Sequence, residues 1–141
     1  MKIIVIIISG FVLCSAVTPS PYELVQKEKL AESIARGKTI YVERCQSCHQ
    51  EKGEGLEGSF PPLAKADFLA KSLDKSIYAV KFGMEGKIKV NGKEYDNLMP
   101  NPGLEDNEVA DVMNYIRNAW GNTSSKKMIT EEMVKAIPEK K

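Results

Sequence analysis

The 141-residue sequence is poor in the residues that build metal clusters and disulfide scaffolds, with three cysteines, one histidine and one tryptophan. These numbers exclude a disulfide-stapled scaffold and a cluster of zinc sites, since each zinc site needs four nitrogen or sulfur ligands. Neither sign of charge dominates, since the chain has 20 Lys and Arg and 19 Asp and Glu. The overall charge therefore gives no indication of nucleic-acid binding. Beyond the N-terminal segment no apolar run approaches the roughly 18 residues of a membrane span, which excludes a multi-span membrane protein.

The first sixteen residues have the pattern of a secretory signal. Lys2 supplies the positive charge, Ile3–Cys14 forms an apolar run, and small residues follow it. Cleavage after Ala16 is the simplest interpretation. Two alternatives remain: a lipoprotein signal in which Cys14 becomes the acylated first residue, and an uncleaved N-terminal anchor. All three predict a periplasmic or exported domain, and the last two predict a membrane tether.

The rest of the chain is predicted to be one helical domain with flanking segments. A helix is expected from about residue 32 into the region of Cys45, with Gly37 in its middle. Glycine in the middle of a helix lowers the helix stability by about 1 kcal/mol relative to alanine. A close crossing with the C-terminal helix would explain a glycine at this position. We divide the chain into a signal peptide (1–16), a linker and helix lead-in (17–32), one domain (33–121) and a charged tail (122–141).

The C-terminal helix is predicted from an apolar stripe at helical spacing, formed by Val109, Val112, Met113, Ile116, Ala119 and Trp120. A shorter helix is expected from an N-cap at Asp74 to about Phe82, ending at Gly83, and another helical turn within residues 66–73. Asn91-Gly92 is a strong signal for a two-residue β-hairpin turn. The hairpin either covers one edge of the functional site described below or lies in solvent without a role at that site. The tail either packs back on the domain or docks on a partner.

The most informative residues are Cys45, Cys48 and His49, which form a C-x-x-C-H motif, the attachment signature of c-type haem. Two thiols on one helical turn can each form a thioether with a porphyrin vinyl group, and the histidine that follows is carried beneath the ring as an iron ligand. A zinc site would need further ligands, and a thioredoxin-like pair would need a strand–helix–strand surround. The flanking pattern is helical, so we expect one covalently bound haem c with its iron.

Further motifs surround this site. They are Gly37-x-x-x-Tyr41-x-x-x-Cys45, then Pro61-Pro62-Leu63, then Met99-Pro100 and a closing helix that ends in Trp120. In this combination, the stretch from residue 33 to 121 resembles the class I monohaem c-type cytochromes of bacterial, exported type. The resemblance implies an all-α cytochrome c fold, a small helical domain wrapped around a covalent haem, with a small β-hairpin inserted before the axial methionine loop.

The second axial ligand of the iron must be a residue other than histidine, because the chain has no second histidine. The methionines beyond the signal segment are the candidates, and Met84, in a glycine-flanked turn, is one of them. The resemblance implies Met99, since its proline-rich loop is similar to the ligand loop of the family. It also implies that a proline carbonyl accepts a hydrogen bond from His49. We nominate Pro61, with Pro62 open as the alternative, Leu63 against the porphyrin and Tyr41 in the haem environment.

Iron with two protein ligands has no open position for a substrate, and His/Met-ligated haem is an electron-transfer centre. We therefore expect a low-spin one-electron carrier between exported or membrane redox proteins, with no substrate turnover and no nucleic-acid partner. One alternative is a haem-c subunit of a larger dehydrogenase, nitrite reductase or oxidase complex. A further alternative is a sensor or peroxidase whose methionine leaves to admit a small ligand.

Overall fold

The computed structural model describes residues 20–122 and 127–139, so the signal segment with Cys14 lies outside the described residues. Helices dominate these ranges, and none combines the length and apolar character needed to cross a bilayer. In chain order the elements are α1 (Pro21–Arg44), α2 (Gln46–His49), α3 (Asp67–Lys71), α4 (Leu73–Phe82), β1 (Ile88–Val90), β2 (Lys93–Tyr95), α5 (Asp106–Asn118) and α6 (Glu131–Lys135).

Helix α1 begins at Pro21, so the predicted start near residue 32 is wrong, and most of the predicted linker is helical. The cause is a capping box. Ser20 Oγ accepts from the Glu23 N–H, and Glu23 Oε2 accepts from the Ser20 N–H, which satisfies two donors at the helix end. Proline suits the first helical position because its missing N–H is not needed there. The first turns of α1 are solvent-exposed, with Tyr22 at 72% relative exposure.

The close crossing predicted at Gly37 is confirmed. Helix α1 packs against α5, and a Cβ on Gly37 would lie 2.0 Å from the carbonyl oxygen of Asp111. Asp111 also accepts from Ser33 Oγ at 2.6 Å and from two nitrogens of Arg36 at 2.6 and 2.9 Å. The crossing thus combines backbone contact with a buried carboxylate held by three donors.

Short elements form the opposite side of the domain. Helix α4 ends at Phe82 with Gly83 as its C-cap, as predicted, but its N-cap is Ser72, two residues before the predicted cap at Asp74. Strands β1 and β2 pair antiparallel around the predicted Asn91-Gly92 turn. Both turn residues have positive φ, 50° and 83°, which is the geometry of the turns that match hairpin twist. Helix α5 ends at Asn118, so the predicted stripe residues Ala119 and Trp120 lie just beyond it.

The C-terminal segment, residues 127–139, packs back on the domain. Thr130 caps α6, and Ile129 and Val134 are buried in the same core cluster as α5 residues. The Asn114 side chain holds Ile129 by two hydrogen bonds: Nδ2 donates to the Ile129 carbonyl at 2.9 Å, and Oδ1 accepts from its N–H at 2.8 Å. Of the two alternatives left by the sequence, the structure supports docking on the domain.

Candidate functional site

The C-x-x-C-H motif lies where α1 ends and α2 begins. Cys45 closes α1 with a hydrogen bond from its N–H to the Tyr41 carbonyl at 2.9 Å. The His49 N–H then donates to the Cys45 carbonyl at 3.0 Å, so one helical turn carries both thiols and the imidazole. Neither cysteine is in a disulfide. His49 itself is buried, while both cysteines are partly buried.

The imidazole of His49 is oriented by one backbone carbonyl. Its Nδ1 lies 3.0 Å from the Pro61 oxygen, and because a carbonyl only accepts, Nδ1 carries the proton. Burial lowers the pKa of His49, although the hydrogen bond to Pro61 opposes this shift. The lowered pKa favours the neutral ring, and with the proton on Nδ1 the lone pair lies on Nε2, the form in which imidazole ligates metals.

The loop between His49 and Pro61 is tightly folded. The Gly55 N–H donates to the His49 carbonyl at 3.0 Å, and the N–H groups of Leu63 and Ala64 both donate to the Gly53 carbonyl, at 2.7 and 2.8 Å. A Cβ on Gly55 would lie 2.4 Å from the Phe60 oxygen. The sequence after the C-x-x-C-H motif thus fixes the position of the acceptor for His49.

Two adjoining clefts open in front of His49. Cys45 and Leu63 line the first and Cys48 lines the second. Both clefts are lined by five common residues: His49, Pro61, Met84, Ile88 and Met99. The structure therefore brings together seven predicted or candidate site residues (Cys45, Cys48, His49, Pro61, Leu63, Met84 and Met99) on the walls of one continuous space.

Met99 and Met84 face this space as an antiparallel pair. The N–H of each donates to the carbonyl of the other at 2.8 Å. Both side chains line the same two clefts as His49, and both are partly buried. The loop around Met99 is therefore joined to the segment that follows α4.

Tyr41, also predicted at the site, lies behind the cleft wall. Its ring contacts those of Tyr115 and Trp120, with centroid distances of 5.4 and 5.0 Å. Its hydroxyl donates to the carbonyl of Gln50 at 2.6 Å, one residue after His49. Tyr41 thus supports the turn that carries the imidazole and joins it to the C-terminal aromatic residues.

Several wall residues were not predicted from the sequence. They come from α3, α4 and the hairpin, and they include Phe68, Leu69, Val80, Ile88 and Val90. Ser76, Ala79 and Val80 lie at helical spacing on α4, and this spacing could have predicted from the sequence that α4 forms one wall of the cleft. The hairpin contributes its apolar β1 residues to the wall, which goes beyond a merely solvated role.

The cysteine environment argues against a thioredoxin-like redox pair. Burial raises the pKa of Cys45 to about 11, and the charge of Cys48 adds to the effect. Reactive cysteines in such motifs have lowered pKa values, since the thiolate is the nucleophile. Cys45 instead carries an uncharged sulfur in an apolar wall.

The comparison with known families decides the identity. The family model of cytochrome c matches residues 34–120, more than half of the chain. The chain belongs to the cytochrome c family. Cytochrome c-552 of Thermus thermophilus is 39% identical over 120 residues, which cover 79% of this chain and 80% of the relative. The cofactor of this cytochrome c is covalently bound haem c with its iron, and its function is electron transfer.

Other relatives are parts of larger assemblies. The cytochrome c subunit of a quinone-type alcohol dehydrogenase from Gluconobacter oxydans is 32% identical over 93 residues, covering 62% of this cytochrome c and 19% of the subunit. The cbb3-type cytochrome c oxidase subunit FixP of Bradyrhizobium diazoefficiens is 32% identical over 94 residues, covering 65% and 32% respectively. The chain thus resembles most of a small cytochrome and a minor part of the two longer subunits.

The described residues fit the haem group. The first cleft is lined largely by apolar side chains, as a porphyrin requires. Its polar member Ser76 already donates to the Ser72 carbonyl at 2.9 Å. Two cysteine thiols, the His49 imidazole and methionine thioether sulfurs lie at the cleft. The Nε2 atom of His49 has no hydrogen-bond partner among the described residues. This donor set suits covalent attachment and iron ligation rather than a hard cation.

Proposed function

We propose that this cytochrome c is an exported one-electron carrier in which Cys45 and Cys48 hold the haem and His49 and Met99 ligate its iron. The observation that supports it is the position of His49 and Met99 on one apolar cleft. The haem, when bound, supplies a reversible one-electron couple, which His/Met ligation moves to higher potential than stronger donors do.

The protein side chains have separate roles in this proposal. The Pro61 carbonyl fixes the orientation and tautomer of His49, and an acceptor at this position makes the opposite nitrogen a better donor. Leu63 and the residues of α3, α4 and β1 exclude water, which favours the less charged ferrous state. With both axial positions filled by side chains, the protein has no site for a substrate and carries out no turnover of its own.

The location and the partners follow from the same proposal. The residue pattern of the first sixteen positions supports export to the periplasm, by cleavage after Ala16 or with a tether at Cys14. The donor and acceptor are redox proteins. Intact-mass measurement of the exported protein would distinguish a chain that starts after Ala16 from one that is acylated at Cys14.

A redox-titrated optical spectrum of the exported protein tests the proposal as a whole. We expect a low-spin haem c spectrum, one reversible one-electron step, and the weak charge-transfer band of ferric iron bound to a methionine sulfur. His49→Ala should abolish the low-spin spectrum, whereas Gln46→Ala in the same turn should not. A high-spin spectrum of the unaltered protein, or a second haem per chain, would contradict the proposal.

The second candidate function is a subunit of a larger dehydrogenase or oxidase complex, which the named subunits among the relatives favour. Size-exclusion chromatography of the native protein from its source separates the two. Elution as a free small protein supports the carrier, and elution with a large enzyme supports the subunit.

A further inference from the structure

We propose that Met84 is a reserve axial ligand, a second methionine that ligates the iron when Met99 is lost. This proposal rests on the proposed function, because it takes Met99 as the ligand of the intact protein. It gives Met84 a role in iron ligation in addition to its packing in the cleft wall.

The backbone pairing places the two side chains together. Met84 and Met99 are directly opposed in an antiparallel bridge, closed by two hydrogen bonds of 2.8 Å. Residues directly opposed in such a pair project their side chains to the same face, with Cβ atoms roughly 5 Å apart. Because the bridge ties the two backbones together, both sulfurs start from the same side of the molecule.

The clefts show which side that is. Met84 and Met99 both line the two clefts that His49 lines. Met113 also lines the first cleft, but it is fully buried on α5 within the main core, so its side chain is committed to packing. Among the cleft residues that the structure describes, Met84 is therefore the thioether best placed to substitute for Met99.

The side chain can make this exchange without moving the backbone. Methionine is unbranched and has three rotatable bonds, so it adapts to irregular spaces. Met84 is partly exposed and lies outside the helices. In the proposed exchange the Met84 side chain rotates toward the iron while the backbone bridge remains.

The test compares four haem proteins: the unaltered protein, Met84→Leu, Met99→Ala and the double variant Met84→Leu/Met99→Ala. The readouts are the methionine-to-iron charge-transfer band of the ferric form and the ring-current-shifted methyl signal of ¹³C-methyl-methionine in the ferrous form. We expect one shifted methionine methyl in each of the first three proteins and none in the double variant. Alanine at position 99 leaves room for the neighbouring side chain.

Loss of both signatures in Met99→Ala, with a high-spin or lysine-ligated spectrum like that of the double variant, would overturn the proposal. Met99→Ser, which also leaves room for the neighbouring side chain, provides the same comparison if Met99→Ala does not accumulate as a haem protein. Absence of a methionine signature in the unaltered protein would instead contradict Met99 ligation itself. A signature that Met84→Leu alone removes would show Met84 to be the primary ligand, and would also overturn the reserve role.

Discussion

The loop from His49 to Pro61 brings an imidazole and its carbonyl acceptor together, and at Gly55 the two arms of this loop lie close to each other. The φ of Gly55 is +66°, and a Cβ there would meet the Phe60 oxygen at 2.4 Å and the Pro61 carbonyl carbon at 2.7 Å. Any side chain at this position therefore moves the same peptide that orients His49. The chemistry of the imidazole depends in this way on a residue that carries no functional group.

Gly55→Ala should destabilise the protein more than Gly58→Ala. Gly58 is the matched control because its φ is also positive, +77°, while nothing lies within 4 Å of its added Cβ. Both variants carry backbone strain, and only Gly55→Ala adds overpacking, which costs about 1–3 kcal/mol. Denaturant unfolding should show that difference in the free energy of unfolding. In the ferrous form, the Nδ1–H resonance of His49 should shift in Gly55→Ala alone. Equal effects of the two substitutions would contradict this role of Gly55.

At the scale of elements, side chains distant in sequence join segments that have little contact area of their own. The α3 start and the hairpin turn are one example. The Asn91 N–H donates to Asp67 Oδ1 at 2.7 Å, and the Asp67 N–H donates to Asn91 Oδ1 at 2.9 Å. This reciprocal pair attaches the hairpin, whose Ile88 and Val90 form part of the cleft wall.

The attachment of the hairpin should weaken in acid. The hydrogen bond from the Asn91 backbone, followed by that from Lys71, lowers the pKa of Asp67 below its ordinary 3.8. A lowered folded-state pKa gives stability that is present above the ordinary value and lost as pH falls through the lowered one. The Asn91 amide proton resonance should therefore titrate below pH 3.8. Asp67→Asn should remove this titration, whereas Asp96→Asn should retain it. An Asn91 resonance that titrates unchanged in Asp67→Asn would contradict the assignment.

The C-terminal segment depends on Asn114 in the same manner. Asn114→Ala would leave the N–H and carbonyl of Ile129 without their partner, and a buried unsatisfied polar group costs about 1–3 kcal/mol. We expect a loss of stability of this size and faster hydrogen exchange in residues 127–137. Asn118→Ala is the control, because Asn118 is exposed and its side chain donates to the Asn114 carbonyl within α5. Unchanged exchange at Ile129 in Asn114→Ala would contradict the role of this amide.

These elements also show what could be read from sequence. The hairpin at Asn91-Gly92, the end of α4 at Gly83 and the crossing at Gly37 were predicted because turn chemistry, helix capping and close approach each leave a local signal. The start of α1 was missed although Ser20 and Glu23 carry a local signal, the capping box. Two contacts could not be predicted in this way: the docking of Ile129 on Asn114 and the pairing of Met84 with Met99. Each joins residues that are distant in the sequence, so the local sequence around them carries no signal of the contact.

At the scale of the whole molecule, the cleft divides the core. The main core cluster includes residues of α1, α4, α5 and α6, and a smaller cluster contains Ala66, Val90 and Tyr95. The first cleft is lined by members of both, among them Val80, Ile116 and Val90. An apolar group in this cleft would pack against both clusters at once and would give α3 and the hairpin a further surface to pack on. The haem therefore completes the core that the side chains leave incomplete.

The double variant Cys45→Ala/Cys48→Ala should consequently fail to reach the native fold. Domains of this size are marginal without a cofactor or a staple, and loss of both thioethers removes the covalent hold on the haem. We expect a far-UV circular dichroism spectrum without native helicity and no sharp thermal transition. Ser47→Ala, between the two cysteines and exposed, should retain haem, helicity and a cooperative melt. A haem-free double variant with the native spectrum and a sharp melt would show that the side chains alone specify the fold, and that the haem occupies a preformed space.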